Sequence, residues 1–79
     1  MKIKTDTPLS IRDKIVRNHN APIDELIELS KDDNLYIRWN VAMNPSTPFE
    51  ILIQLSKDED ENVRDCAIRY RINRMGLLK

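Results

Sequence analysis

The chain has 79 residues, with 13 basic and 13 acidic side chains, so its formal net charge is zero. This balance excludes a protein whose whole surface is a polycation for nucleic acid. One cysteine, Cys66, and one glycine, Gly76, exclude a disulfide framework, a multi-cysteine metal site and a glycine-rich phosphate loop. The composition favours one small soluble domain over residues 1–79, with a short N-terminal tail at 1–7.

The sequence gives no sign of a membrane segment. No apolar run approaches the roughly 20 residues of a membrane span. The first residues, MKIKTD, lack the apolar core of a signal peptide. We therefore expect a cytoplasmic protein that does not enter a membrane.

The clearest pattern is self-similarity with a period of 26 residues. Residues 37–42 read IRWNVA, residues 11–16 read IRDKIV and residues 63–68 read VRDCAI. A second block keeps the same offset, because residues 29–32 and 55–58 both read LSKD. Chance rarely keeps two separate blocks on one period, so the pattern predicts a repeated structural unit.

In chain order, the first predicted helix covers about 8–18, and we call its pattern type B. A shorter pattern, type A, follows over about 22–31, where Ile23, Leu26 and Ile27 share one helical face. Type A helices are short, and isolated helices below about 12 residues are marginal in water. Stacking against neighbours must therefore hold them.

The second repeat has the same order. A type B helix is predicted over about 34–44 and a type A helix over about 48–57, where Thr47 is the expected N-cap and Glu50 its capping-box partner. A third type B helix is predicted over about 62–75. We expect an all-α fold, a short α-solenoid with about two and a half repeats. The predicted core consists of Ile11, Ile15, Ile23, Leu26, Ile27, Ile37, Val41, Phe49, Leu52, Ile53, Val63 and Ala67.

The central repeat resembles a known family. Residues 37–48, reading IRWNVAMNPSTP, are followed by Leu52, Leu55, Ser56 and Asp58, and this pattern resembles the leucine-rich repeat variant, which is grouped with HEAT-like helical repeats. The resemblance covers about 8–70 and implies a helical solenoid that serves as a binding scaffold. Some members carry an iron–sulfur cluster in an attached cysteine-rich segment, which this sequence lacks, so no cofactor is implied.

Arginines recur with the period, at positions 12, 38 and 64, and so do acids of the A–B turns, Asp32 and Asp58. We expect bidentate pairs that tie each type B helix to its own or the neighbouring turn. A direct functional role for the arginines is the alternative.

Catalysis has little support. Cys66 and His19 are the only candidates for a thiol–imidazole pair, and the repeat predicts them about 20 Å apart or more, whereas a dyad needs contact at about 3 Å. The acidic run at 58–61 lacks the ligand spacing and turn glycine of a calcium loop. We expect no enzyme, no cofactor and no metal.

At about 100° per residue, one side of the type B helices points outward. We call this side the B-helix face, and it consists of Ser10, Lys14, Arg17, Tyr36, Asn40, Met43, Asn62, Cys66 and Arg69. Trp39 stands where the other type B helices carry Asp13 and Asp65, so we expect it at the core margin. There it either covers a gap between helices or anchors a partner.

The B-helix face combines aromatic, methionine and basic side chains, which is typical of protein-binding hot spots. It predicts an acidic protein partner bound through Lys14, Arg17, Tyr36, Trp39, Asn40, Met43 and Arg69. A merely solvated face is the competing interpretation. Nucleic-acid binding through the same basic residues is the alternative function, and the lack of a clear end cap also favours a homodimer. Tails at the two ends, Ile3 and Leu77-Leu78, are the other candidates for covering the terminal helices.

Overall fold

Five α-helices make up the part of the chain that the structure describes, residues 7–76. The structure is a computed structural model. The helices are α1 (Leu9–Arg17), α2 (Ile23–Leu29), α3 (Leu35–Met43), α4 (Phe49–Leu55) and α5 (Glu61–Arg74). No strand occurs between residues 7 and 76, and the predicted all-α class is confirmed. The predicted end covers, Ile3 and Leu77-Leu78, lie outside the described residues.

The helices begin in two ways. Pro8, Pro22 and Pro48 each immediately precede a helix and serve as its N-cap, without a side-chain cap. Their fixed backbone angle and their carbonyl, which accepts the first helical N–H, suit this place. By contrast, α3 begins after Asn34, whose side chain accepts hydrogen bonds from the backbone of the first turn, and α5 begins after Asp60, which caps in the same way.

The predicted capping box at α4 is wrong. The hydroxyl of Thr47 donates a hydrogen bond to the carbonyl of Val41, at 2.6 Å, and does not cap α4. Thr47 is 1% exposed, so its hydroxyl needs a partner inside the protein. The carbonyl of Val41, which also accepts the backbone N–H of Asn44, supplies it in the last turn of α3. Thr47 therefore closes α3, and Pro48 alone begins α4.

The type B helices pack side by side, with α3 between α1 and α5. Each type A helix bridges two of them, because α2 contacts α1 and α3, whereas α4 contacts α3 and α5. The core lies where these helices meet. Its most completely buried apolar side chains are Val16, Leu26, Leu29, Ile37, Val41, Ala42, Leu52, Val63 and Ala67.

Several predicted core positions differ from the structure. Ile23 is 54% exposed and Ile11 is 38% exposed, because both belong to the first repeat and no described helix precedes it. Ile15, Ile27, Phe49 and Ile53 are only half-buried. Ile51 is absent from the predicted core yet is buried, because α4 packs against both α3 and α5.

Two ion pairs recur with the sequence period. Arg12 Nη1 lies 2.6 Å from Asp32 Oδ2, and Arg38 Nε lies 2.9 Å from Asp58 Oδ2. Each arginine reaches 20 residues ahead, to the turn that follows the next type A helix. The predicted pairing is confirmed, with the neighbouring turn as the partner. The hydrogen bond to Asp58 raises the pKa of Arg38 although burial opposes it, so the guanidinium stays charged.

Two side chains hold the ends of the type B helices. Asn44 is 2% exposed and donates from Nδ2 to the carbonyls of Val16 and Asn18, both at 2.9 Å. Arg74 has a comparable role beside α3, because its guanidinium donates to the carbonyls of residues 44, 45 and 47, just after that helix ends. The helix α5 ends at Arg74, and Gly76 follows its C-cap, Met75, with a φ of 74° in the left-handed region that favours glycine.

Candidate functional site

The B-helix face carries a groove between α1 and α3. Its volume is about 340 Å³, and it is lined by Leu9, Ser10, Asp13, Asn34, Tyr36 and Ile37. Leu9 is 47% exposed in this first groove, although a leucine side chain gains by burial. The first groove therefore offers apolar surface to a ligand.

A smaller, second groove lies at the other end of the same two helices. Its volume is about 190 Å³, and it is lined by Val16, Arg17, His19, Asn40, Met43 and Asn44. Three of the predicted binding residues, Arg17, Asn40 and Met43, meet here. Asn40 is partly engaged, because its Nδ2 donates to the carbonyl of Tyr36 at 2.7 Å.

The third groove lies between α3 and α5. Its volume is about 370 Å³, and it is lined by Trp39, Met43, Asn62, Asp65, Cys66, Arg69 and Tyr70. Met43 lines both this groove and the second one, so the two adjoin at that side chain. Among the predicted binding residues, Trp39, Met43 and Arg69 are brought together here.

Two stacked aromatic rings separate the first groove from the third. The rings of Tyr36 and Trp39 lie 6.3 Å apart between centroids, at an interplanar angle of 20°. Tyr36 lines the first groove and is 63% exposed, whereas Trp39 lines the third and packs partly against the core. Trp39 thus packs against the core and also borders a groove, which agrees with its expected place at the core margin. Its role as an anchor for a partner stays a prediction.

The remaining predicted residue, Lys14, is exposed on α1 and lines none of these three grooves.

The charge of the B-helix face is more mixed than its basic residues suggest. Arg17 Nε lies 3.1 Å from Asp13 Oδ1. Asp65 stands four residues before Arg69, at the same sequence spacing. The prediction of a basic B-helix face is corrected to a mixed one, because carboxylates at i and i+4 spacing accompany two of its arginines.

The floor of the third groove includes the half-buried thiol of Cys66. Burial raises the pKa of this thiol, and the neighbouring Trp39 side chain and Arg69 charge only partly oppose the shift. Because the thiolate is the nucleophilic form, a raised pKa makes Cys66 a poor nucleophile near neutral pH. His19 lines the second groove, so the structure does not bring the two side chains into one groove.

Sequence reasoning missed Asp65 and Tyr70 as groove residues. Asp65 was recognised only as the counterpart of Trp39. Tyr70 stands one period after Asn44, where a buried amide gives way to an aromatic ring beside the third groove. An aromatic residue at the repeat position of Asn44 is the sequence feature that could have indicated a role for Tyr70.

Within residues 7–76, no three His, Cys, Asp or Glu side chains converge as metal ligands. In the same part of the chain, no helix has the length and apolarity needed to cross a membrane.

Comparisons with protein-family models, with curated proteins and with solved structures find no match to this chain. Function is therefore inferred from the fold and the grooves alone.

Proposed function

We propose that this protein is a non-enzymatic interaction module, a short solenoid of HEAT-like helical repeats that binds another protein through its B-helix face. The observation that carries the proposal is the stacked Tyr36–Trp39 pair, which stands between two grooves with Tyr36 63% exposed. Aromatic, methionine and arginine side chains are enriched at the energetic centres of protein interfaces. All three types meet beside the third groove.

The repeat arrangement is supported by contacts that recur at one register. Arg12 and Arg38 each bind the aspartate 20 residues ahead. The two type A helices bridge their type B neighbours in the same way. A stack of this kind presents equivalent helix faces in a row, and such a row suits the recognition of an extended or helical segment.

The chemistry of the B-helix face specifies the partner. An apolar side chain fits the third groove against Trp39 and Met43, and a carboxylate next to it meets Arg69. Lys14 adds positive charge on the α1 side of the face, whereas the charge of Arg17 is shared with Asp13. The partner surface is therefore acidic with apolar anchors, and its charge contributes to orientation and association rate more than to affinity.

The test compares partner capture by matched variants, with binding proteins identified by mass spectrometry from the native host. Tyr36→Ala combined with Arg69→Glu should abolish capture of a protein that the unchanged chain retains, with helicity unchanged by circular dichroism. The matched control, Gln54→Ala with Lys57→Glu, makes equivalent changes at exposed positions on and after α4 and should keep the protein bound.

Undiminished capture by the folded double variant would place the binding surface elsewhere. A second measurement examines the alternative partner class, because phosphate contacts make nucleic-acid binding strongly salt-dependent. Salt-dependent binding of duplex DNA that the same double variant loses, without any captured protein, would replace the proposal with nucleic-acid recognition.

A further inference from the structure

The first type B helix leaves an apolar side uncovered. Ile11 is 38% exposed, whereas its counterparts one and two periods later, Ile37 and Val63, are 1% and 0% exposed. Ile37 lines the groove between α1 and α3, so it faces the preceding type B helix. By the same register, Ile11 faces the side of α1 where a preceding helix would pack. We call this side the leading face.

Within residues 7–76, the described helices that pack against α5 are α3 and α4. Arg64 Nη1 donates to the carbonyl of Asp58 at 3.0 Å, just as Arg38 Nη1 donates to the carbonyl of Asp32 at 2.7 Å. Arg38 also binds the carboxylate 20 residues ahead, but Arg64 has no ion pair within residues 7–76. We call the side of α5 that carries Arg64 the trailing face.

Apolar surface accompanies the arginine on the trailing face. Ile68 is half-buried, whereas its counterparts Val16 and Ala42 are 1% and 0% exposed where the next type B helix covers them. The trailing face thus presents the apolar side chain of Ile68 and the guanidinium of Arg64, which has no carboxylate partner within residues 7–76. The leading face presents the apolar side chain of Ile11. The interface between α1 and α3 shows how such faces fit one another.

We propose that copies of this chain stack head to tail, with the leading face of one copy packed on the trailing face of the next. The proposal rests on the repeat arrangement put forward under Proposed function, but uses neither Tyr36 nor Arg69. The sequence register supports this arrangement, because Asp6 stands 26 residues before Asp32, at the position from which the next copy would offer an acid to Arg64. A second copy therefore matches in apolar surface and, by sequence register, in charge.

Head-to-tail contacts join two different surfaces, so the assembly does not close as a two-fold dimer does, and it lengthens with concentration. The contact is one helix layer wide, which places it among small interfaces with weak affinity. The expected behaviour is a mean mass that rises steadily with protein concentration, without a plateau at the dimer.

Light scattering and sedimentation of matched variants test this arrangement. Ile11→Glu blocks the leading face and Arg64→Glu blocks the trailing face, and each should weaken self-association by at least about tenfold. Because each variant keeps one intact face, an equimolar mixture of the two should form a one-to-one dimer and nothing larger. Gln54→Glu, an exposed change on α4, should behave as the unchanged chain does.

A rescue experiment tests the register of the charge pair. Asp6→Arg and Arg64→Asp should each remove the rise in mass, and their combination in one chain should restore it. Where circular dichroism shows that Arg64→Glu lowers helicity, Arg64→Gln keeps the side chain polar and takes its place.

Five outcomes would overturn the proposal. The first four are a monomer at every concentration, an Ile11→Glu variant that associates normally, a mixture that stays monomeric, and a failed rescue. An Arg64→Glu variant that still dimerises would point to leading faces that pair with each other, which also overturns the head-to-tail arrangement. Partner capture by the B-helix face should survive both end-face changes, so the two proposals can fail separately.

Discussion

Arg38 holds both carboxylate oxygens of Asp58, with Nε 2.9 Å from Oδ2 and Nη2 3.2 Å from Oδ1. Its remaining nitrogen, Nη1, donates to the carbonyls of Asp32 and Asp33, at 2.7 Å and 3.1 Å. One guanidinium therefore joins two successive A–B turns. The arginine and aspartate side chains of the pair are only 10% and 9% exposed, so water screens this interaction weakly.

Asp58→Asn should destabilise the fold strongly, because it leaves the guanidinium of Arg38 buried without its counter-charge. Loss of one partner of a buried pair costs about 3–5 kcal/mol. Asp13→Asn is the matched control, since its pair with Arg17 is 40% exposed on the aspartate and 67% on the arginine, and it should cost less than about 1 kcal/mol. Urea unfolding followed by circular dichroism measures both values. Equal small losses would show that the Arg38 pair contributes little.

Leu52→Ala should remove about 2–5 kcal/mol, because Leu52 is fully buried and the substitution leaves a cavity. Ile23 is an apolar residue of the other type A helix, α2, but it is 54% exposed. Ile23→Ala should therefore lower the free energy of unfolding by less than about 1 kcal/mol. Thermal unfolding distinguishes the two. A large loss for Ile23→Ala would mean that this side chain is covered in solution, as it would be in a stacked assembly.

Cys66 should react slowly with alkylating reagents, and its rate should rise only above the pH at which an ordinary thiol ionises, because burial raises its pKa. The folded state holds this proton more tightly than the unfolded state. The associated stability is thus fully present below the ordinary thiol pKa and is lost as pH rises through the folded-state value. Iodoacetamide kinetics between neutral and alkaline pH, compared with the chain in urea, measure the shift. Identical pH profiles for folded and unfolded chains would contradict it, and Cys66→Ser should lack the alkaline loss of stability.

The period and the helical spacing predict much of the fold. Both signals depend on local register, so the five helices and the order of their two types follow from the sequence. The sequence also predicts that Arg12 and Arg38 pair with acids of the A–B turns, but it does not decide between the own and the neighbouring turn. Burial depends instead on which neighbours exist. Ile11 repeats the pattern of Ile37 yet is 38% exposed, since periodicity identifies a helix face without showing what covers it.

Competition between hydrogen-bonding groups explains the error at Thr47. The sequence has the spacing of a capping box, but Pro48 takes the N-cap position and the carbonyl of Val41 accepts from the hydroxyl. The same limit applies to the candidate site. Helical rotation predicts that Tyr36, Met43 and Arg69 lie on one side, whereas the grooves depend on distances between helices that a single sequence does not contain.

The ties at the helix ends have a consequence for how the protein unfolds. Asn44 donates hydrogen bonds to carbonyls at the end of α1, and Arg74 donates to carbonyls just beyond α3. In both cases a side chain from later in the sequence satisfies the backbone at the end of an earlier type B helix. Detachment of α5 would uncover Ala42 and also leave the carbonyls of residues 44, 45 and 47 without their guanidinium. These contacts couple neighbouring helices to one another. We therefore expect residues 7–76 to unfold cooperatively, with less stepwise fraying from a free end than nearest-neighbour stacking alone would allow.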